Sequence, residues 1–298
     1  MKSYRYCIVD VFAEEPYTGN QLGVVFDDGT LDDAAMLAIT QEMHYSETVF
    51  IAQTSMEQEE KPIRIFTPPA EVHFAGHPCL GSAFCIERAL RKAGKTVTGG
   101  LKLKTKAGCI PITIERRNGK TVWWMKQVQP SFGNSIPVHS MTKLLGLDEK
   151  QFDARYPVQW VSTGLPFLIV PLAGIDAVRN VKVDWELFHA KLSAEKPGDI
   201  LVFTRETDDR HKDLHVRVFV DFPGIPEDPA TGSANGCLAA YIVRYGYMHA
   251  DVVEYQVEQG IELGRPSVLH VRAHKQAETY SIEVGGEVHF VAEGTLYK

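Results

Sequence analysis

The sequence predicts an α+β fold of two pseudo-symmetric domains, each a barrel-like, mostly antiparallel sheet around a central helix. Three observations carry that prediction. Short β signatures dominate the chain and few helical patterns interrupt them. Motifs of the first half return in the second at a nearly constant offset. The helical segment in each half that carries a Gly-Ser-Ala triplet is small and apolar on most faces. At 298 residues the chain is also about twice the usual single-domain length.

In the first half, residues 5–12 alternate and are rich in β-formers, and residues 22–26, 49–52, 63–66, 101–104, 110–115 and 122–125 repeat that signature between turn residues. Two helices interrupt them. Residues 31–43 follow the capping candidate Thr30, and residues 78–92 open on Pro78 and end just before Gly94. The second half replays this order. Arg64-Ile65-Phe66 and Arg217-Val218-Phe219 lie 153 residues apart, Gly81-Ser82-Ala83 and Gly232-Ser233-Ala234 lie 151 apart, and Gly108 and Gly260 lie 152 apart. Three matches in order indicate a duplication of domain size. Residues 127–138, with Pro130, Gly133 and Pro137 among polar residues, read as the linker. The expected domains are 1–126 and 130–286, with a last strand at 287–298 returning to the first because its apolar residues need a sheet edge. Ala234-Asn235-Gly236-Cys237-Leu238-Ala239-Ala240 has the pattern of a helix enclosed by sheet. An ordinary amphipathic helix on one sheet face is the alternative.

A composition of 44% hydrophobic and 23% charged residues suits a packed core and excludes wholesale disorder. The net charge of −7 is spread along the chain, which argues against nucleic acid and for a small-molecule partner. The five cysteines, Cys7, Cys79, Cys85, Cys109 and Cys237, contain no C-x-x-C pair, so neither a disulfide framework nor a zinc ribbon is expected. No apolar run approaches a membrane span and no leader pattern precedes the first strand, so no membrane partner and a cytoplasmic location are expected. Gly76-x4-Gly81-Ser82 lacks the lysine of a phosphate loop, so no nucleotide cofactor is expected. His73 and His77 stand four apart, but Gly76 and Pro78 break a helix there. No metal is expected, and His73 reads as a strand residue.

Candidate chemistry gathers ahead of the two apolar helices, at Ala75-Gly76-His77-Pro78 and at Glu227-Asp228-Pro229-Ala230-Thr231-Gly232-Ser233. A helix N-terminus offers unpaired N–H groups and a positive dipole end, so the two starts, facing one another across a cleft, would receive a carboxylate. Taken singly, Asp228 and Ser233 also read as plain N-caps.

Together, Gly19-Asn20, Ser46-Glu47-Thr48-Val49-Phe50, Arg64-Ile65-Phe66-Thr67-Pro68, Gly76-His77-Pro78 and Asp228-Pro229-Ala230-Thr231-Gly232-Ser233-Ala234 resemble the phenazine-biosynthesis isomerase (PhzF-like) family over essentially the whole chain. The resemblance implies a diaminopimelate-epimerase-like fold, a homodimer and no cofactor. It implies Glu47 as general acid/base, with pKa raised in a dry cleft, and Gly76, His77, Gly232 and Ser233 as groups that hold the substrate carboxylate or assist proton delivery. Asp228 matches the acidic residue on the other wall. Asn20 falls in the N-terminal binding motif, where Gln21 replaces the proline of many members. From the residues alone Glu47 reads as a surface strand residue.

Related epimerases work with two cysteines, whose positions correspond here to Ala75 and Asp228; Cys79 and Cys237 read as core thiols. The expected function is a cofactor-independent isomerase that moves a proton within a small carboxylate-bearing metabolite. The alternatives are an amino-acid epimerase or racemase using Glu47 with Asp228, and a non-catalytic metabolite-binding protein on the same fold.

Overall fold

A computed structural model describes residues 1–117, 119–193, 198–222 and 225–298. It is a sheet-rich α+β fold, and the chain divides into two compact units, Met1–Lys126 with Gly285–Lys298, and Gln127–Val284.

The first unit runs β1 (Ser3–Val11), β2 (Asn20–Asp27), α1 (Asp33–Met43), β3 (Thr48–Ala52), β4 (Glu60–Phe66), β5 (Glu71–Val72), α2 (Gly76–Lys92), β6 (Gly100–Thr105), β7 (Gly108–Arg117) and β8 (Lys120–Lys126). Its strands pair β1–β2 antiparallel, β2–β3 parallel, β3–β4 antiparallel, β4–β5 antiparallel and β4–β6 parallel, and β6–β7–β8 form an antiparallel meander. A parallel pair needs a crossover, and α1 supplies the one between β2 and β3.

Asp32, and not Thr30, caps α1, its carboxylate accepting from the Ala35 N–H at 2.9 Å. The Thr30 hydroxyl is committed to Asp28 (2.6 Å) and the Tyr4 hydroxyl (2.8 Å), which leaves the capping role to the next carboxylate. Helix α2 begins two residues earlier than expected and buries Gly76 through Ala83 without a break. It packs against β1, β2, β3, β6, β7, β8 and β18 (Val288–Tyr297). Gly81 permits that approach, because a Cβ there would lie 2.5 Å from Leu22 Cδ2 and 3.0 Å from Val11 Cγ2.

The second unit runs β9 (Ser131–Ile136), α3 (Val138–Leu145), β10 (Val158–Ser162), β11 (Pro166–Pro171), α4 (Ile175–Asn180), α5 (Trp185–Phe188), β12 (Asp199–Thr204), β13 (Leu214–Phe222), β14 (Ile225–Asp228), α6 (Gly232–Tyr245), β15 (Val252–Gln259), β16 (Ser267–Gln276) and β17 (Thr279–Gly286). The pairings are β10–β11 antiparallel, β11–β12 parallel, β12–β13 and β13–β14 antiparallel, β13–β15 parallel and β15–β16 antiparallel. The stretch read as a linker contains β9, which pairs antiparallel with β10. Its polar sequence masks a strand that Pro130 and Pro137 flank rather than interrupt. Residues Gly232 to Val243 of α6 are all buried.

Strand β18 lies antiparallel to β1 in the first unit, from Ser3 opposite Tyr297 to Val11 opposite Val288. The Gly-Ser-Ala match proves out of register: Gly232 opens α6, whereas Gly81 sits well inside α2, whose first residue is Gly76.

Candidate active site

Within the first unit, α1 closes on His44 in the left-handed region (φ 56°), and the chain enters β3 through Glu47. His77 is the second residue of α2. These elements bring His77 Nε2 to 3.5 Å from Glu47 Oε2, with the two side chains 6% and 18% exposed. Burial pushes the His77 imidazole down to about 3, against a hydrogen bond to the Gln21 backbone that works the other way. The ring is therefore neutral at neutral pH, and Nε2 makes no hydrogen bond among the described residues.

Gln21 follows Asn20, the buried first residue of β2, which pairs with Val11. The turn before it needs Gly19 (φ +68°), since a Cβ there would meet the Val11 carbonyl oxygen at 2.4 Å. Gly76 opens α2 behind Ala75, whose side chain makes no capping bond, so the N–H groups of Gly76 and His77 have no side-chain cap. Glu47 and His77 thus meet, and the β2 backbone next to Asn20 joins them. His73 lies on a bend and not in a strand, its carbonyl accepting from the Ala107 N–H at 3.2 Å.

The second unit presents its own set. Asp228 ends β14, opposite Val218 of β13, and accepts the Thr231 hydroxyl. Thr231 is the N-cap of α6 with no side-chain capping bond, so neither Asp228 nor Ser233 fills that role; Gly232 and the buried Ser233 form the first turn. Sequence reasoning missed what holds this turn. The fully buried Gln259 donates to the Asp228 carbonyl (2.8 Å) and to Thr231 Oγ1 (3.2 Å), while its oxygen accepts from Asn235 Nδ2 (2.9 Å) and the Thr231 N–H (3.3 Å). The signal lay in Asn235, a lone amide in an apolar helix, and in Gln259 just before Gly260.

Burial raises Cys79 to about 12 and Cys237 to about 11, so neither is a thiolate at neutral pH. Among the described residues one group has metal-ligand chemistry, Asp208, His215 and Glu258, with ligand atoms within 4.8 Å of one another. Both His215 nitrogens already face carboxylates, Glu258 at 2.6 Å and Glu262 at 2.9 Å. Burial would lower His215, but these two outweigh it and lift it to about 9, so the ring is an imidazolium with no lone pair for a metal. No helix among the described residues is long and apolar enough to cross a membrane.

Against known proteins, a family profile described as "Phenazine biosynthesis-like protein" matches residues 9–294. The trans-2,3-dihydro-3-hydroxyanthranilate isomerase of Pseudomonas aeruginosa is 33% identical over 296 residues, 99% of each chain. A protein of Mesorhizobium japonicum named as an uncharacterized isomerase is 31% identical over 306 aligned residues, covering all of both. A crystal structure of a PhzF-family phenazine biosynthesis protein from Bacillus anthracis superposes with a TM-score of 0.89 at 30% identity, covering 100% of each chain. By class, then, the protein is an isomerase. The chain belongs to the phenazine-biosynthesis-like (PhzF) family.

Proposed function

We propose that this isomerase needs no cofactor and moves a proton within a small carboxylate-bearing metabolite, with Glu47 as the general acid/base. The observation that carries the reading is the meeting of Glu47 with a neutral, buried His77 at the uncapped first turn of α2. A carboxylate takes a proton as the substrate C–H bond breaks, then returns it to another carbon as the double bond shifts. His77 can steer that proton by hydrogen bonding without adding a fixed charge. Gly76 and the first-turn N–H groups suit the substrate carboxylate, with Asn20 beside them. In the second unit, Asp228 is assigned as an acidic partner and Gly232 and Ser233 as a carboxylate-holding turn, supported by the Gln259 network.

The raised thiols of Cys79 and Cys237 speak against two-thiol epimerisation. We further infer that the two units are copies of one barrel-like ancestor with a central helix. The recurring order of strand pairings supports this, as do the Arg–Glu forks Arg64–Glu71 and Arg217–Glu227 on equivalent strands. A cytoplasmic homodimer completes the proposal.

The first substrate to try is trans-2,3-dihydro-3-hydroxyanthranilate, for which relatives are named, followed by other cyclic unsaturated carboxylic acids. Proton NMR should show isomerised product, with deuterium from deuterated water at the new position only to the extent that the Glu47 carboxyl exchanges its proton before returning it. Glu47→Gln, nearly isosteric, should keep carboxylate binding while turnover drops roughly 10²–10⁴-fold. Undiminished turnover in that variant would overturn the role of Glu47. Binding with neither isomerised product nor proton exchange for any compound would favour a metabolite-binding protein.

A further inference from the structure

The first unit holds a second cluster of reactive side chains, around a small cleft that none of the candidate-site residues lines. Strand β1 contributes Arg5 and Cys7, two apart and so on one face. Helix α2 contributes Cys85, Arg88 and Lys92, whose spacing places them on one stripe. Arg5 lies over the Phe26 ring at 4.0 Å and Arg88 over the Phe290 ring at 3.9 Å, so both guanidiniums are pinned. Glu293, the one carboxylate lining the pocket among the described residues, is engaged by Lys92 at 3.1 Å. Arg88 Nε is buried without a hydrogen-bond acceptor. Positive charge therefore exceeds negative around two buried free thiols.

We propose that Cys7 is a peroxide-reactive thiol and Cys85 its resolving partner, so that oxidation joins them in an intramolecular disulfide. Cys85 is the neighbour with the largest influence on Cys7. Burial and Glu293 oppose, Arg5 and Arg88 assist, and the balance lowers the Cys7 thiol; burial and the Cys7 charge raise Cys85. Cys7 thus carries the thiolate and Cys85 the proton. The Cys7 thiolate attacks one oxygen of a hydroperoxide. An S–O bond forms, the O–O bond breaks, and the departing alkoxide or hydroxide, facing Arg5 and Arg88, takes up a proton from solvent water. Cys85 sulfur then attacks the sulfenic sulfur. The S–S bond forms, the S–O bond breaks, and hydroxide leaves as water with the Cys85 proton. Two thiols lose two electrons and the peroxide gains them.

The test uses the full chain and hydrogen peroxide at a small molar excess, followed by alkylation and peptide mass spectrometry. Peptides bearing Cys7 and Cys85 should appear cross-linked, and dithiothreitol should separate them. Cys85→Ser should instead accumulate a dimedone adduct at Cys7, and Cys7→Ser should give neither product. Arg88→Gln should slow the reaction several-fold while leaving the far-UV circular dichroism unchanged. Cys79 and Cys237 should stay reduced. Oxidation of the exposed Cys109 with Cys7 and Cys85 left reduced would overturn the proposal. So would a cross-link that forms only in urea, or sulfenic acid at Cys7 with no disulfide in the unmutated chain.

Discussion

His77 in the first unit and His215 in the second are both buried, yet they hold opposite charge states at neutral pH. At His77 burial dominates and no charge answers it strongly enough, so the ring stays neutral. At His215 two carboxylates at 2.6 and 2.9 Å outweigh the same penalty. The lesson is that a histidine beside a carboxylate has two meanings. His215 and Glu258 form a satisfied ion pair in which the Glu258 carboxylate also accepts the Asp208 and Asp209 N–H groups at 2.6 and 3.0 Å. His77 and Glu47 stand 3.5 Å apart, beyond a good hydrogen bond. The first arrangement is a closed network of short bonds; the second is the pair on which the proposed chemistry rests.

The comparison breaks most directly on the two glutamates. Turnover should fall by the roughly 10²–10⁴ given above in Glu47→Gln, whereas Glu258→Gln should keep the rate per folded molecule within about threefold. Equal losses in purified, folded variants would show that the distinction fails.

The Arg–Glu forks provide the next contrast. Arg217 donates from Nε and Nη2 to Glu227 at 2.9 and 2.7 Å, and from Nη1 to the Val178 and Arg179 carbonyls, both at 3.1 Å. Arg64 forms a similar fork with Glu71, but its side chain is 33% exposed against 10% for Arg217. Arg217→Ala leaves Glu227 buried and unpaired and should cost roughly 3–5 kcal/mol. Arg64→Ala should cost about 1 kcal/mol, because water and Lys106 remain near Glu71. Urea midpoints, with amide hydrogen exchange read separately over β4 and β13, measure both. A larger loss from Arg64 would reverse the ranking.

The histidines also set opposite pH dependences. His215 titrates near 6.5 when unfolded and about 9 when folded, so its stabilisation is fully present below pH 6.5 and is lost as pH rises through 9. That contribution is up to about 3 kcal/mol. His77 runs the other way: its folded value of about 3 lies below 6.5, so acidification through that window draws protons to the unfolded chain and destabilises. Ring nitrogen-15 shifts should show His215 as imidazolium and His77 as neutral at pH 7. His215→Gln should flatten the alkaline arm between pH 6.5 and 9 in urea titrations. An unchanged arm would place its origin elsewhere.

The strand signatures and the family motifs around Glu47, Gly76 and His77 were legible because each is local in sequence. What was not legible depends on distant partners. His215 meets Glu258 43 residues away, and Asn235 meets Gln259 24 away, through sheet register that no local pattern encodes. Thr30 looked like a cap because a capping residue is recognised by type, and competition from Asp28 and Tyr4 becomes visible only in space. Residues 127–138 looked like a linker because β9 carries few apolar side chains. The triplet Gly81-Ser82-Ala83 suggested a register that the helix starts contradict, since small residues recur in any helix that must pack closely.

A pair of glycines tests how tightly each helix is held by its own unit. Gly81 in α2 and Gly236 in α6 are both interior helical positions where alanine is intrinsically favoured by up to about 1 kcal/mol. What each new methyl group would meet differs. At Gly81 it runs into Leu22 Cδ2 at 2.5 Å and Val11 Cγ2 at 3.0 Å, branched side chains fixed in a packed core. At Gly236 it meets Gln127 Oε1 at 2.9 Å and Cγ at 3.0 Å, parts of an unbranched side chain with torsions to adjust. Overpacking against the rigid pair should outweigh the propensity gain, so Gly81→Ala should destabilise by about 1–3 kcal/mol. Gly236→Ala should fall within about 1 kcal/mol of neutral, because rotation of Gln127 relieves the clash while the propensity gain remains. Urea unfolding of the two variants side by side decides the matter. Equal costs would mean that α6 is gripped as tightly as α2.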